Sequence, residues 1–185
     1  DNGCAIHRTS DWKVIDSVAL DKQVIHYLYS LTQDSSIQLT LFDEEHYFVV
    51  GETPSPIVVR DTGYVFTSPT EISLEEAVSG KYTMFQAMFL AEKETVDFFE
   101  EKYASDICQH FSGVRSQDVI YEVMPAGVTK AFALEKLAQK LNIKVEEIMA
   151  LGDANNDLEM LKFAGLGIAM GNASDYVKSL ADNVP

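Results

Sequence analysis

The chain has 185 residues, enough for one sizeable core or for a core with a smaller insert. With 46% apolar and 10% aromatic residues it is neither disordered nor collagen-like, and it has no run of 18 apolar residues to span a membrane. Fourteen basic against 29 acidic residues give a net charge of −15, which argues against nucleic-acid and membrane partners but is compatible with a bound cation.

The amino end, Asp1-Asn2-Gly3-Cys4, is no basic-then-apolar leader, and two cysteines are too few for a disulfide framework. A reduced, cytoplasmic setting is expected. His7, His26, His46 and His110 are scattered and predict core or surface side chains rather than zinc ligands. The chain opens on Asp1 instead of Met and stops at Asp182-Asn183-Val184-Pro185 with no element completed, so it is expected to be a fragment at both ends.

Val24, Ile25, Leu28 and Leu31 put a helical stripe on residues 22–32. Residues 37–42 alternate as a strand, 46–50 form a second, and Asp43-Glu44-Glu45 reads as the hairpin turn between them. Prolines and glycines punctuate 51–69, which reads as irregular. Ser73-Leu74-Glu75-Glu76 is a capping box opening a short helix that Gly80 ends. Residues 82–90 are apolar on both faces, as in a central strand. Val96, Phe99 and Tyr103 mark a helix over 92–103, and two strands follow near 110–115 and 118–124.

From about residue 125 the texture changes. Leu134, Leu137, Ala138 and Leu141 stripe a helix over 129–141. A buried strand is predicted at 148–151, a helix at 157–163 ended by Gly165, a strand at 166–170 and a helix from about Ala173. This α-β-α-β-α order is that of an α/β, doubly wound parallel sheet. We therefore read residues 1–16 and 123–185 as an incomplete core and 17–122 as an inserted α+β unit.

The sharpest motif is Gly152-Asp153-Ala154-Asn155-Asn156-Asp157, directly after an apolar strand and before a helix. Ligands bind beyond the carboxyl ends of strands in such sheets, and oxygen ligands of this kind suit Mg²⁺. Turn and cap preferences explain Asp157 alone, but not three acids or amides together. An EF-hand loop is excluded, because its sixth and twelfth positions would be Leu158 and Ala164. Lys130, in Gly127-Val128-Thr129-Lys130, opposes the dipole of the helix it opens unless an anion binds there. A cation and a Mg²⁺ carboxylate at one sheet edge are what phosphate-ester chemistry requires.

These two motifs, with Ala164-Gly165-Leu166-Gly167-Ile168-Ala169-Met170-Gly171-Asn172-Ala173, resemble the later motifs of haloacid dehalogenase-like phosphatases, in particular the Cof-type subgroup with a large α/β cap. Asn2-Gly3-Cys4-Ala5 is similar to the subgroup's strand start just before the cap. The resemblance implies a Rossmann-like core and Mg²⁺-dependent hydrolysis of small, often sugar, phosphate monoesters through an aspartyl-phosphate. By position, it makes Lys130 the residue that holds the phosphate and steadies the nucleophile, and Asn156 a phosphate contact. It puts both acids at the metal site, with Asp153 binding Mg²⁺ directly or through water and Asp157 orienting Lys130 or the metal's waters. The implied partner is a small phosphorylated metabolite, and no obligatory protein partner is readable.

The family's Asp-x-Asp-Gly-Thr run is absent, and no Asp-x-Asp occurs anywhere. Asp61, in Arg60-Asp61-Thr62-Gly63, reads as a turn inside the insert. The chain by itself is therefore expected to be inactive. The alternative is a binding or regulatory module without catalysis. P-type ATPases share several of these pieces, but the chain has neither their Asp-Lys-Thr-Gly-Thr motif nor a membrane segment.

Overall fold

The computed structural model describes residues 2–33 and 35–184. Asp1 and Pro185, on which the reading of cut ends falls, lie outside the described residues, as does Asp34. The first two strands, β1 (Ala5–His7) and β2 (Val14–Ser17), form an antiparallel pair that the sequence reading missed. Both are too short to show a period, and their turn is held by side chains: Arg8 Nη2 donates to Asp11 Oδ2 at 2.6 Å.

Helix α1 (Lys22–Ser30) starts at Asp21, whose carboxylate accepts from the Gln23 N–H at 2.8 Å. The hairpin of β3 (Gln38–Phe42) and β4 (Tyr47–Val50) turns at Asp43, where Oδ1 accepts from the Glu45 and His46 N–H groups. The stretch read as irregular contains α2 (Pro56–Tyr64), so Asp61 lies on a helix rather than in a turn. Pro56 falls in the first turn, where its missing N–H has no helical partner to lose, and Ile57 and Val58 bury against the sheet.

Strand β5 (Pro69–Ile72) and helix α3 (Leu74–Ala77) follow, the latter capped by Ser73 Oγ accepting from the Glu76 N–H at 3.1 Å. The strand expected from residue 82 is β6 (Gln86–Leu90), and the helix expected to stop at Tyr103 is α4 (Lys93–His110). The last hairpin here is β7 (Ser112–Gln117) and β8 (Ile120–Met124).

These strands make one six-stranded sheet in the order β5-β4-β3-β6-β8-β7, with only β4 and β5 parallel. Strand alternation then divides its side chains. Leu39, Leu41, Phe48, Phe89, Tyr121 and Val123 pack against Ile25 and Leu28 of α1 and Val96, Phe99 and Ile107 of α4. On the opposite face Ile57 and Val58 of α2 pack with Tyr47, Val49, Met88, Leu90 and Ile120, all buried. Phe42, Gln86 and Glu122 on that face line a cleft.

Beyond Met124 come α5 (Lys130–Leu141), β9 (Met149–Gly152), α6 (Leu158–Phe163), β10 (Leu166–Ala169) and α7 (Asp175–Leu180). Strands β9 and β10 are parallel and form a sheet separate from the six-stranded one. One side packs through Ala150, Leu161, Ala164, Ala169 and Val177. The expectation of a fully buried β9 needs correction, because Met149 and Leu151 are 58% and 50% exposed. Parallel sheets are normally covered on both faces. Here the described residues cover only one.

Phe99 is fully buried, with its ring 4.3 Å from that of Phe89 and 5.7 Å from that of Tyr121. Phe99→Ala is expected to cost about 3–5 kcal/mol in urea denaturation, whereas Phe98→Ala next to it should stay within about 0.5 kcal/mol.

Candidate active site

The loop after β9 is shaped by a glycine and an acid. Gly152 ends the strand with Asp157 packed directly over it, so a β-carbon at position 152 would collide with the Asp157 side chain. The turn Asn155–Asp157 brings that carboxylate back over the loop, where Oδ2 accepts from the Asp153 and Ala154 N–H groups at 2.9 and 3.1 Å. Oδ1 receives Lys130 Nζ at 2.5 Å. Asp157 is 5% exposed, and both of its oxygens are used within the chain.

Lys130 is the first residue of α5, and Thr129 Oγ1 caps that helix by accepting from the Phe132 N–H at 3.2 Å. The ammonium therefore stands beside a helix N-terminus, an environment suited to an anion. Burial alone pushes the Asp157 carboxyl up. The Lys130 ammonium and the two N–H donors outweigh that effect and hold it below the usual carboxylate range.

Asp157 stands between Lys130 and Asp153, taking the Lys130 ammonium on Oδ1 and the Asp153 backbone N–H on Oδ2. Asp153 is exposed, its Oδ2 accepts from Asn172 Nδ2 at 2.7 Å, and only its backbone N–H meets Asp157. Among the described residues no group of three His, Cys, Asp or Glu side chains is arranged to hold a metal ion. Of the two acids read as metal ligands, Asp153 keeps the more open carboxylate and Asp157 is engaged with Lys130.

Asn156 Nδ2 donates to Asn2 Oδ1 at 2.9 Å. Asn2 Nδ2 in turn donates to Glu122 Oε2, as does Gln86 Nε2. An ionised carboxylate only accepts, so Glu122 fixes which end of Asn2 faces it and, through Asn2, which end of Asn156. Gly3, at φ 93°, lets this segment lie against the Thr129 carbonyl, where any side chain would collide. One chain of hydrogen bonds thus joins the loop after β9 to the face of the six-stranded sheet.

The sequence reading did not assign Asn2, Gln86, Glu122 or Asn172 to the site. Glu122 and Gln86 did carry a signal, as polar residues inside otherwise apolar strands that are 7% and 4% exposed. Asn172 stood within the Ala164–Ala173 motif but was given no role there. Asn2 and Lys130 border the cleft of about 590 Å³ that Phe42, Tyr47, Asp61, Gln86 and Glu122 help to line.

Asp157→Asn removes the ion pair and is expected to cost about 1–3 kcal/mol at pH 7. A depressed folded-state pKa stabilises above the unfolded carboxylate value of about 3.9, and that contribution is lost as pH falls through the lower folded value. In urea titrations the gap between wild type and Asp157→Asn should therefore narrow below about pH 4.

The Bacillus subtilis (strain 168) protein YxeH is 27% identical over 181 residues, which are 98% of this chain and 67% of YxeH. The 5-amino-6-(5-phospho-D-ribitylamino)uracil phosphatase YcsE of the same organism is 52% identical over 63 residues, 34% of this chain and 25% of YcsE. The solved structure of BT1666 from Bacteroides thetaiotaomicron, a phosphatase of the haloalkanoate (HAD) enzyme superfamily, superposes with a TM-score of 0.79 at 34% identity, covering 99% of this chain and 65% of BT1666. The chain thus spans about two thirds of the length of YxeH and of BT1666. Residues 1–185 match end to end the family described as haloacid dehalogenase-like hydrolase, and the chain belongs to that family.

Proposed function

We propose that the protein carrying residues 1–185 hydrolyses small phosphate monoesters, sugar phosphates among them, with the help of Mg²⁺. The observation that carries this reading is Lys130, held at the start of α5 by Asp157 at 2.5 Å and placed beside Asn156 at the carboxyl end of a parallel strand. A fixed ammonium there neutralises phosphate charge without having to be reorganised during the reaction. The named phosphatase YcsE, whose substrate has a phosphorylated ribityl chain, supports a small phosphate monoester as substrate.

Asp153 is the residue that would hold Mg²⁺, its carboxylate oriented by Asn172. One carboxylate fits this ion, which commonly takes one or two together with water and substrate phosphate oxygens. When bound, the ion supplies positive charge against the transferring phosphoryl group. Asp157 acts as the positioning acid for Lys130, and Asn156 as a phosphate contact.

The nucleophile belongs, on this reading, to a segment of the protein outside residues 1–185, which contain no Asp-x-Asp. Two facts support such a segment: the share of YxeH and BT1666 that the chain spans, and the open apolar face of β9. No helix among the described residues is long and apolar enough to cross a membrane. The two cysteines, Cys4 and Cys108, are both free, which supports a reduced, cytoplasmic setting.

The test is a Mg²⁺-dependent assay on the full-length protein and on residues 1–185, with p-nitrophenyl phosphate and several sugar phosphates. Full-length protein should turn these over and lose activity with a chelator. Asp153→Ala and Lys130→Ala should each lose at least about 100-fold, and the 185-residue chain should be inactive. Turnover by the short chain would place the nucleophile within it. An inactive full-length protein would favour a binding module.

A further inference from the structure

We infer that the cleft admits phosphate monoesters whose leaving group is uncharged or cationic, and rejects those carrying a second anionic group. This inference rests on the phosphatase reading above and names the substrate class of the same site. Among the described residues lining the cleft, Lys130 is the one lysine or arginine, set against Asp43, Glu44, Glu45, Asp61 and Glu122. The Lys130 charge is already matched by Asp157 and, on the proposed reading, by the substrate's own phosphate. No further lysine or arginine among the described residues lining the cleft is left to receive a second phosphate or a carboxylate. His46 is turned to Asp43, with Nδ1 2.9 Å from Oδ1.

Two of these carboxylates, Asp61 and Glu122, are held in place by hydrogen bonds. Asp61 accepts from the hydroxyl of Tyr47, a residue 2% exposed, at 2.9 Å. Glu122 is fixed by Asn2 and Gln86. Glu44 and Glu45 stand exposed at the tip of the β3–β4 hairpin, on the rim. A second anion would sit among like charges in a cleft open to solvent, where the repulsion is weakened by salt. Hydroxyls and amines, in contrast, find fixed acceptors there. The Phe42 and Tyr47 rings, packed edge to face at 4.4 Å, offer the carbon skeleton an apolar wall. Specificity of this kind comes from a repulsive element as much as from an attractive one.

The experiment compares a hexose 6-phosphate with the corresponding hexose 1,6-bisphosphate on the full-length protein, with p-nitrophenyl phosphate as the reference. Wild type should prefer the monophosphate by at least about tenfold in kcat/KM, with the difference mainly in KM. The double variant Glu44→Gln, Glu45→Gln and the single variant Asp61→Asn should each bring the ratio to within about threefold, as should high salt. Equal use of both esters by a protein that turns over p-nitrophenyl phosphate overturns the inference, as does an unchanged ratio in both variants. Absence of turnover on all three esters is a failure of the phosphatase reading instead. Calorimetric binding of the two hexose esters then decides the charge selection without catalysis, with the same tenfold preference expected and equal affinity overturning it.

Discussion

The site depends on the contact between Asp157 and Lys130. A buried carboxylate is costly unless it is paired and hydrogen-bonded, and Asp157 is both, through one ammonium and two backbone N–H groups. The same contact gathers three parts of the chain: the first turn of α5, the loop after β9 and the turn that opens α6. Gly152 is what allows the approach, since the strand end and the carboxylate occupy adjoining space. The lysine is thereby aimed at one place instead of ranging over the surface.

A second constraint reaches outward from this loop. The hydrogen bonds from Asn156 to Asn2 and from Asn2 to Glu122 run into a sheet whose other face is a packed aromatic and aliphatic core. Strand alternation sends Glu122 and Gln86 one way and Tyr121 and Phe89 the other, so the elements that stabilise the sheet also present its polar face to the cleft. A phosphate held near Lys130 and a leaving group lying on that face would be parts of one bound molecule.

Much of this was legible in the sequence where local pattern and chemistry coincide. The hairpin at Asp43, the Ser73 cap, the α5 stripe and the Gly152–Asp157 motif are each written in consecutive residues. Helix α2 was not legible, because Pro56 and Gly63 read as breaks when Pro56 actually fills the first turn and Gly63 lies near the helix end. The pair β1–β2 is too short to carry a period. Asn2 and Glu122 stand 120 positions apart and become partners only through folding. The exposure of Met149 and Leu151 was hidden for a related reason: an apolar strand reads as buried whether or not its second covering layer lies within the same residues.

The most direct test of the account is a crystal structure of the full-length protein grown with Mg²⁺ and tungstate, an oxyanion that stands in for the phosphate. The account predicts the oxyanion within about 3.2 Å of Lys130 Nζ, with the Asp157 pair retained and the metal on Asp153. An oxyanion bound away from Lys130, with that ammonium still engaged only by Asp157, would contradict it.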